Sequence, residues 1–510
     1  MRIIIFFNIP LFFGYLVSSL IIIPIVINGF TFISRLQVWT QPVWLLLHSL
    51  PFIFIAANHS YLFGEWTHYT GILGNRDGTF DILLFGAASA VLFSLSAQIG
   101  EQVDFLRFLP PKTNLNAKAW WISLLSAGPG WIFVGALKIF VGSFLLFVCL
   151  KFLIPVEMAT EPSFMYQTAF NFVFASSWIA ALVTATFVII SQIKINVTNA
   201  YAGSIAWSNF FSRLTHSHPG RVVWLIFNVG IAFLLITLGA YHALEKILAL
   251  YSIVAVAWVG ALASDLVINK PLKLSPKYIE FRRAYLYDIN PVGVGSVALA
   301  VFAASISYAG LLGETMTALF SFVALGVSFF CAPIIAYLTN GKYYIARKPS
   351  IEISNLTEVK CCICETVYES EDMASCPIYD APICSLCCSL DARCHDSCKE
   401  NARYVDQISG FLLALLPKKL TLYLNPIIAS YIGIQIFVSA LIASVLGLIY
   451  LESSSDPNTP KTYLSNMLWD TFFIMLIISA VASWLFVLAR ESTKVAQEES
   501  SRQTFRLYEE

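Results

Sequence analysis

An all-α polytopic membrane protein is the fold class that this sequence predicts, and three features predict it. Of the 510 residues, 58% are apolar and only 12% charged, with a mean hydropathy of +0.73. A soluble domain of this size has no interior large enough to hide so much apolar surface. Runs of about 20 apolar residues, the length that crosses ~30 Å of hydrocarbon as a helix, recur eleven times. Nine of the eleven cysteines lie between Cys361 and Cys398, in a polar insert between two blocks of those runs.

The runs fall near 4–28, 38–57, 79–100, 129–154, 167–193, 221–242, 248–268, 292–313, 316–339, 423–450 and 464–489. Only Arg2 precedes the first run, no small-residue cleavage site follows it, and more runs come after. It therefore reads as a span rather than a secretory signal. Trp39, Trp44, Trp120, Trp121 and Trp224 stand near run ends, as interfacial anchors do. Gly128-Pro129-Gly130 and Asn290-Pro291 interrupt or start runs and predict discontinuous helices. The segment DQISGFLLALLPKKL, 406–420, predicts a short helix lying in the interface, and the polar tail after the last run predicts a helical extension. The expected organisation is a transmembrane bundle over 1–348, a Cys-rich metal knuckle over 349–404, an interfacial helix with two spans over 405–490, and a helical stub over 491–510.

Charge sets the orientation. Net charge is zero, so the expected environment is the lipid bilayer and no nucleic-acid partner is suggested. If the C-terminal tail faces the cytoplasm, 24 of the 31 Lys and Arg fall on its side and five on the other. That is a strong positive-inside bias. The two others, Lys138 and Lys194, fall in or at the edge of runs. The Cys-rich insert and the C-terminus are then cytoplasmic. Eleven spans put the N-terminus on the opposite side, which predicts that further spans belong upstream.

In the reducing cytoplasm, clustered thiols favour metal over disulfides. The segment reads CCICETVYESEDMASCPIYDAPICSLCCSLDARCHDSC, with Cys361-x2-Cys364 and Cys384-x2-Cys387 about 20 residues apart. Those four thiolates suffice for one tetrahedral zinc, and Cys376, Cys388, Cys394 and Cys398 could supply a second, with Cys362 and His395 also in reach. One or two structural zinc ions are expected. An iron–sulfur cluster and redox-active thiols are the alternatives, and no open coordination position for catalysis is apparent. Cys149 and Cys331, inside runs, read as packing residues.

Ionisable and amide groups inside spans usually mark a site. In SQIKINVTNAYAGSIAWSNFF (191–211), helical spacing places Gln192, Asn196 and Asn199 on one face, with Ser191 and Lys194 beside it, and that face is expected to point into the bundle. Gln98, Glu101, Gln102, Asp104 and Arg107 cluster near the end of the third run. Asp104, Arg107 and Asp265 read as solvated helix ends, whereas Lys138 is balanced between snorkelling and burial.

These same stretches carry a resemblance. QIGEQVDFLRF (98–108), SQIKINVTNAYAGSIAWSNFF (191–211) and ALYSIVAVAWVGALASDLVINKP (249–271) resemble the sixth, eighth and tenth helices of the nucleobase–cation symporter family. More closely, RLTHSHPGRVVWL (213–225), YDINPVGVG (287–295) and CPIYDAPICSLCCSLDARCHDSC (376–398) resemble the permease-like sensor half of bacterial hybrid histidine kinases. The resemblance implies a LeuT-type inverted-repeat bundle that lacks the family's first three helices, in a bacterial inner membrane. It implies a substrate site at Leu95, in the place of an aromatic platform, with Gln98, Ser191, Gln192, Lys194, Asn196 and Asn199. Ser191 would match a cation-ligating hydroxyl and Asn196 a substrate-reading amide, with Lys194 standing in for a bound sodium. The implied partners are a small, nucleobase-like solute and a cytoplasmic kinase domain in cis or in trans. No phosphoacceptor or ATP-binding box occurs in the chain, so enzymatic activity is not expected in it. A secondary transporter and a non-binding membrane anchor are the competing readings.

Overall fold

The computed structural model describes residues 11–72, 79–106, 108–215, 219–237, 244–348, 357–390, 398–403, 406–410, 426–453 and 460–509. Arg107, Cys394, His395 and most of the expected interfacial helix, 411–420, lie outside them. The protein is a multi-pass helical membrane protein. Among the described residues eight helices are long and apolar enough to cross a bilayer, from Gly29–Asn58 to Lys461–Ala489. Three shorter apolar helices, Phe12–Ile27, Arg221–Thr237 and Tyr431–Gly447, occupy the positions of other expected spans.

The chain divides into two compact units, residues 1–234 with 248–400, and residues 235–247 with 401–510. In the first unit the elements that position the site are α1 (Gly29–Asn58), α2 (Ala117–Ala127), α3 (Trp131–Lys151), α4 (Pro162–Val173), α5 (Ser177–Thr215), all but the first four residues of α6 (Leu244–Ser264), α7 (Pro291–Tyr308) and α8 (Phe320–Leu338). The Cys-rich insert adds two antiparallel hairpins. β1 (Glu358–Lys360) pairs with β2 (Val367–Glu369), β3 (Met373–Cys376) pairs with β4 (Ala381–Cys384), and the short helix α9 (Ser385–Leu390) follows.

Local sequence sets the breaks. Gly128-Pro129-Gly130 separates α2 from α3 by a turn, and a Cβ on Gly128 would meet the Leu124 carbonyl oxygen at 2.8 Å. Asn290 caps α7, its side chain accepting the Val292 N–H at 3.0 Å, and Pro291 takes the first helical position, where no donor is needed. The run expected at 167–193 is in fact two helices. Phe174 turns extended after α4, and the Ser176 carbonyl then accepts the first bond of α5, from Ala180. From there α5 runs 39 residues, well past the apolar stretch; Thr198, Ser204 and Ser212 bond to carbonyls within the helix, and Trp207 and Arg213 reach neighbouring elements.

Small residues let the helices approach. Ala257, Ala300, Ala304 and Ala324 are buried where α6, α7 and α8 meet. A Cβ on Gly260 would stand 2.9 Å from the Leu325 carbonyl oxygen, so α6 passes α8 closely there. Ser252 shares a hydrogen bond with Ser321 at 2.9 Å, and Ser264 donates to Phe329 O at 2.6 Å. After Ser264, a single π turn over Asp265–Asn269 ends the helix.

The second unit holds α10 (Pro426–Ser453) and α11 (Lys461–Glu509). Gln435 Nε2 donates to Ser479 Oγ at 3.0 Å, an amide bond across two apolar helices. α11 is 49 residues long, about 73 Å at 1.5 Å per residue. It carries the last span on into the tail, as its sequence predicts.

Candidate metal centre

The turn of the first hairpin contains Cys361 and Cys364. Cys361 N–H donates to Thr366 O at 3.0 Å and Glu365 N–H to Cys361 O at 3.1 Å, with Glu365 in the left-handed region at φ 57°. This tight turn aims backbone N–H groups at sulfur, and Ile363 N–H lies 3.4 Å from Cys361 Sγ. The second knuckle spans the end of β4 and the first turn of α9. Cys384 N–H points at Cys361 Sγ and Cys387 N–H at Cys384 Sγ, both at 3.4 Å. Cys362 N–H donates to Pro382 O at 2.9 Å and joins the two hairpins.

As a result, the sulfurs of Cys361, Cys364, Cys384 and Cys387 all lie within 4.8 Å of one another, and none is in a disulfide. Cys364 Sγ and Cys384 Sγ are 4.0 Å apart. A tetrahedron of metal–sulfur bonds near 2.3 Å has edges of about 3.8 Å, so the four donors fit one metal ion with little movement. Cys361 and Cys384 are buried, Cys387 is half-buried and Cys364 is exposed.

The electrostatics are asymmetric. The Thr366 N–H beside Cys364 leads the groups that draw its thiol down to about 6. Burial pushes Cys361 upward, but N–H groups of Cys364, Cys384 and Ile363 outweigh it and leave the thiol lowered. Cys384 and Cys387 are raised, first by burial and then by the neighbouring sulfurs. Four thiolates this close repel one another, and a bound cation removes that repulsion.

The knuckle is built into the helical unit. Tyr285, 1% exposed, and Ala284 come from the loop between α6 and α7, and they share one core with Val359, Met373, Ala374, Ile383, Cys361 and Cys384. The guanidinium carbons of Arg282 and Arg347 lie 4.6 and 5.1 Å from the Tyr285 ring centre. Arg282 donates to Met373 O at 2.9 Å and Arg347 to Ser375 O at 2.6 Å. Glu280 holds Arg282 through two parallel bonds of 2.7 and 2.6 Å. Lys399, 4% exposed, donates to the carbonyls of Arg283 and Leu286 at 3.1 and 3.0 Å and lies 3.8 Å from Asp288. The end of α5 meets the same loop, with Arg213 Nη2 donating to Phe281 O at 3.1 Å and Arg283 Nη1 to Arg213 O at 3.2 Å. α5 also packs against α9, which carries Cys387 and Cys388.

About 28 Å back along α5, at 1.5 Å per residue, is the polar seam with α1. The Lys194 ammonium donates to Gln37 O at 2.9 Å, Thr40 Oγ1 at 3.1 Å and Gln41 Oε1 at 2.9 Å. Gln37 Nε2 donates in return to Lys194 O at 2.8 Å. Three oxygens thus satisfy three ammonium donors. One turn away, Trp44 Nε1 donates to Ser191 Oγ at 2.8 Å, Trp44 stacks on His48, and the Tyr166 hydroxyl meets His48 Nδ1 at 2.8 Å.

Ser191 and Lys194 therefore face α1 and Asn196 is half-buried, while Gln192 and Asn199 are exposed, as are Leu95 and Gln98. The amide face expected to point inward does not do so throughout. Packing against α1 selects the Ser191–Lys194 side instead. Trp44 is not the interfacial anchor that its position near a run end predicts, because its indole bonds inside the helical unit. Asp265 is not simply solvated. It is half-buried and accepts from Tyr344 OH at 2.6 Å and Asn269 Nδ2 at 3.2 Å. Lys138 is exposed and sets its ammonium 4.9 Å from the Trp131 ring centre. Cys149 is fully buried, as a packing residue is. Cys376, Cys388 and Cys398 lie beside the four-sulfur group without joining it.

Sequence reasoning missed Gln37, Thr40, Gln41 and His48, although polar residues at spacings of three and four along one span signal a buried face. It also missed Tyr285, Arg282 and Arg347, which no local pattern marks. No family model matches the chain, nor does any curated protein or any solved structure.

Proposed function

We propose that this chain is a membrane-embedded input module that senses a small solute, in the manner of the permease-like sensor half of a histidine kinase. In this reading a zinc-loaded knuckle on the cytoplasmic side is part of its output. The supporting observation is the continuity of α5. One helix carries Ser191 and Lys194, bonded to α1 at membrane depth, and ends against the loop and the helix that hold the four-sulfur group. A displacement of α5 by a solute at the Lys194 seam would therefore reach the knuckle as a rigid-body movement.

Zinc is the ion of choice for four closely spaced thiolates with no water position, and it would act there as a cross-link. An iron–sulfur cluster would spread the same four ligands farther apart than one ion does. The Lys194 ammonium supplies a resident positive charge, so sensing in this reading needs no sodium. A cytoplasmic kinase, in cis or in trans, would receive the signal. The test uses the full chain in detergent and in proteoliposomes with a panel of nucleobases and hydantoins. Saturable, sodium-independent thermal stabilisation without solute accumulation supports the sensor. Accumulation supports a transporter, and neither response supports an anchor.

A further inference from the structure

Where α6 ends, the π turn over Asp265–Asn269 holds a carboxylate and an amide that neither the knuckle nor the α1–α5 seam uses. Single π turns interrupt the regular helical ladder and recur at functional sites. The chain then folds back on this turn twice. Asn269 O accepts Leu274 N–H at 2.8 Å and Ser275 N–H at 3.4 Å, which keeps Ser275 beside Asn269. After α8, Gly341 takes the left-handed region at φ 64°, and a Cβ there would stand 2.4 Å from Leu274 O. That close approach brings Tyr344 to the turn, where its hydroxyl donates to Asp265 Oδ1 at 2.6 Å. Asn269 Nδ2 donates to the same oxygen at 3.2 Å and to Tyr344 OH at 3.1 Å.

These bonds leave a surplus of acceptors. The Asn269 amide turns its nitrogen to two oxygens, which fixes its orientation. Its Oδ1, on a residue that is 0% exposed, then has no donor. Ser275, 6% exposed, likewise leaves its Oγ without a partner. Burial, followed by the Asp265 carboxylate, pushes the Tyr344 phenol up, and Asn269 and Ser275 draw it back. All four side chains therefore act on one small volume, and the phenol stays a donor. Both bonds to Asp265 fall on Oδ1 and leave Oδ2 for a ligand. Among the described residues no Lys, Arg or His pairs with this carboxylate. Lys270, the nearest cation in sequence, gives its ammonium to Pro276 O at 2.6 Å. Buried acceptors without donors, next to an unpaired carboxylate at the end of a span, call for a positive ligand. Water would fill the acceptors but leave the charge.

We propose that the π turn is a binding site for a monovalent alkali cation, potassium, held by Asp265 Oδ2, Asn269 Oδ1 and Ser275 Oγ with water completing its shell. The described residues supply one carboxylate, which balances one positive charge, whereas calcium sites gather several. Donors that are all oxygen suit a hard ion rather than a softer transition metal. Two hydrogen bonds already draw on the carboxylate, and the other donors are neutral. That weak field suits potassium over the smaller, more tightly hydrated sodium. In the orientation that the charge bias predicts, this end of α6 lies on the cytoplasmic side, where potassium is the abundant alkali ion. The site stands independently of the solute reading, since none of its residues belongs to the Lys194 seam.

The test uses the zinc-loaded full chain in detergent, in buffers whose only other cation is choline. The expected result is that radioactive rubidium, the potassium analogue, binds at one ion per chain. Potassium displaces it, and sodium at the same concentration does not. Potassium also raises the unfolding temperature saturably, whereas choline at equal ionic strength does not. Asp265→Asn abolishes both rubidium retention and the potassium-dependent shift, and Ser275→Ala weakens rubidium at least about tenfold. Retained helical content and zinc in Asp265→Asn show that the chain still folds. If that variant does not fold, Ser275→Ala decides, since it removes only a hydroxyl. No rubidium retained by the unmodified chain, which would mean that water alone fills the turn, overturns the site. So would equal displacement by sodium, a thermal shift reproduced by choline, or binding undiminished in Asp265→Asn or Ser275→Ala.

Discussion

The knuckle and the α1–α5 seam handle the same difficulty, a concentrated charge in poorly solvating surroundings, in opposite ways. The knuckle gathers four sulfurs and waits for a cation from outside. The seam gathers three oxygens around an ammonium that is part of the chain. A site with its own cation is complete as soon as it folds. A site that needs a visiting ion is conditional, and its conformation then depends on metal supply and pH. The comparison teaches that the four-sulfur group depends on an ion from outside, whereas the α1–α5 seam has its positive charge built in.

Removing the visitor should have the largest effect. Structural zinc in small metal-dependent units contributes on the order of 10 kcal/mol. Chelation, or Cys364→Ser, should therefore unfold the hairpins over 357–390 and expose them to proteolysis and hydrogen exchange. Retained protection in the metal-free chain would show that the hairpins stand without the ion. Next in size is Tyr285→Ala. Deleting that fully buried ring should cost about 3–5 kcal/mol, lower the unfolding temperature of the knuckle and weaken zinc, while the α1–α5 seam keeps its protection.

Replacing the resident cation sharpens the contrast from the other side. Lys194→Met leaves the oxygens of Gln37, Thr40 and Gln41 without their donor, a loss of about 2 kcal/mol. In Lys194→Ala the vacated oxygens form a small cation site, and thermal stability should become sodium-dependent although that of the parent chain is not. Indifference of the alanine variant to sodium would remove the resident-cation interpretation. The smallest effect concerns pH. Cys384 and Cys387 are raised by burial and neighbouring sulfur, so in the metal-free state they hold protons that loading must expel. Zinc affinity should fall as pH drops from about 8 to about 6, measured by competition with a zinc chelator. The binding of a neutral solute at the seam should not follow that slope.

Much of the helical scaffold was legible before any coordinates, because helix length in a bilayer is dictated by hydrocarbon thickness and backbone polar groups have no other partners there. The two Cys-x2-Cys knuckles were legible for a similar reason. Four-sulfur coordination needs a tight turn at each pair, and that spacing is local. The partition of the remaining thiols was not, because Cys376, Cys388 and Cys398 are separated by hairpins whose pairing decides which sulfurs meet. The inward side of α5 was equally hidden. Helical spacing puts Gln192, Asn196 and Asn199 on one face and Ser191 with Lys194 on another, but only the position of α1 selects between them.

By itself, then, the sequence determined the membrane class, the approximate spans, the breaks at Gly128-Pro129-Gly130 and Asn290-Pro291, and the four thiols that stand close enough to hold a metal ion, all consequences of short-range periodicity and backbone chemistry. The tertiary structure alone decided that Lys194 closes on Gln37, Thr40 and Gln41, that Tyr285 seats the knuckle, and that α5 ties the two together. Those contacts join residues up to 157 apart in the chain, and their energy depends on which faces packing brings together rather than on any local pattern.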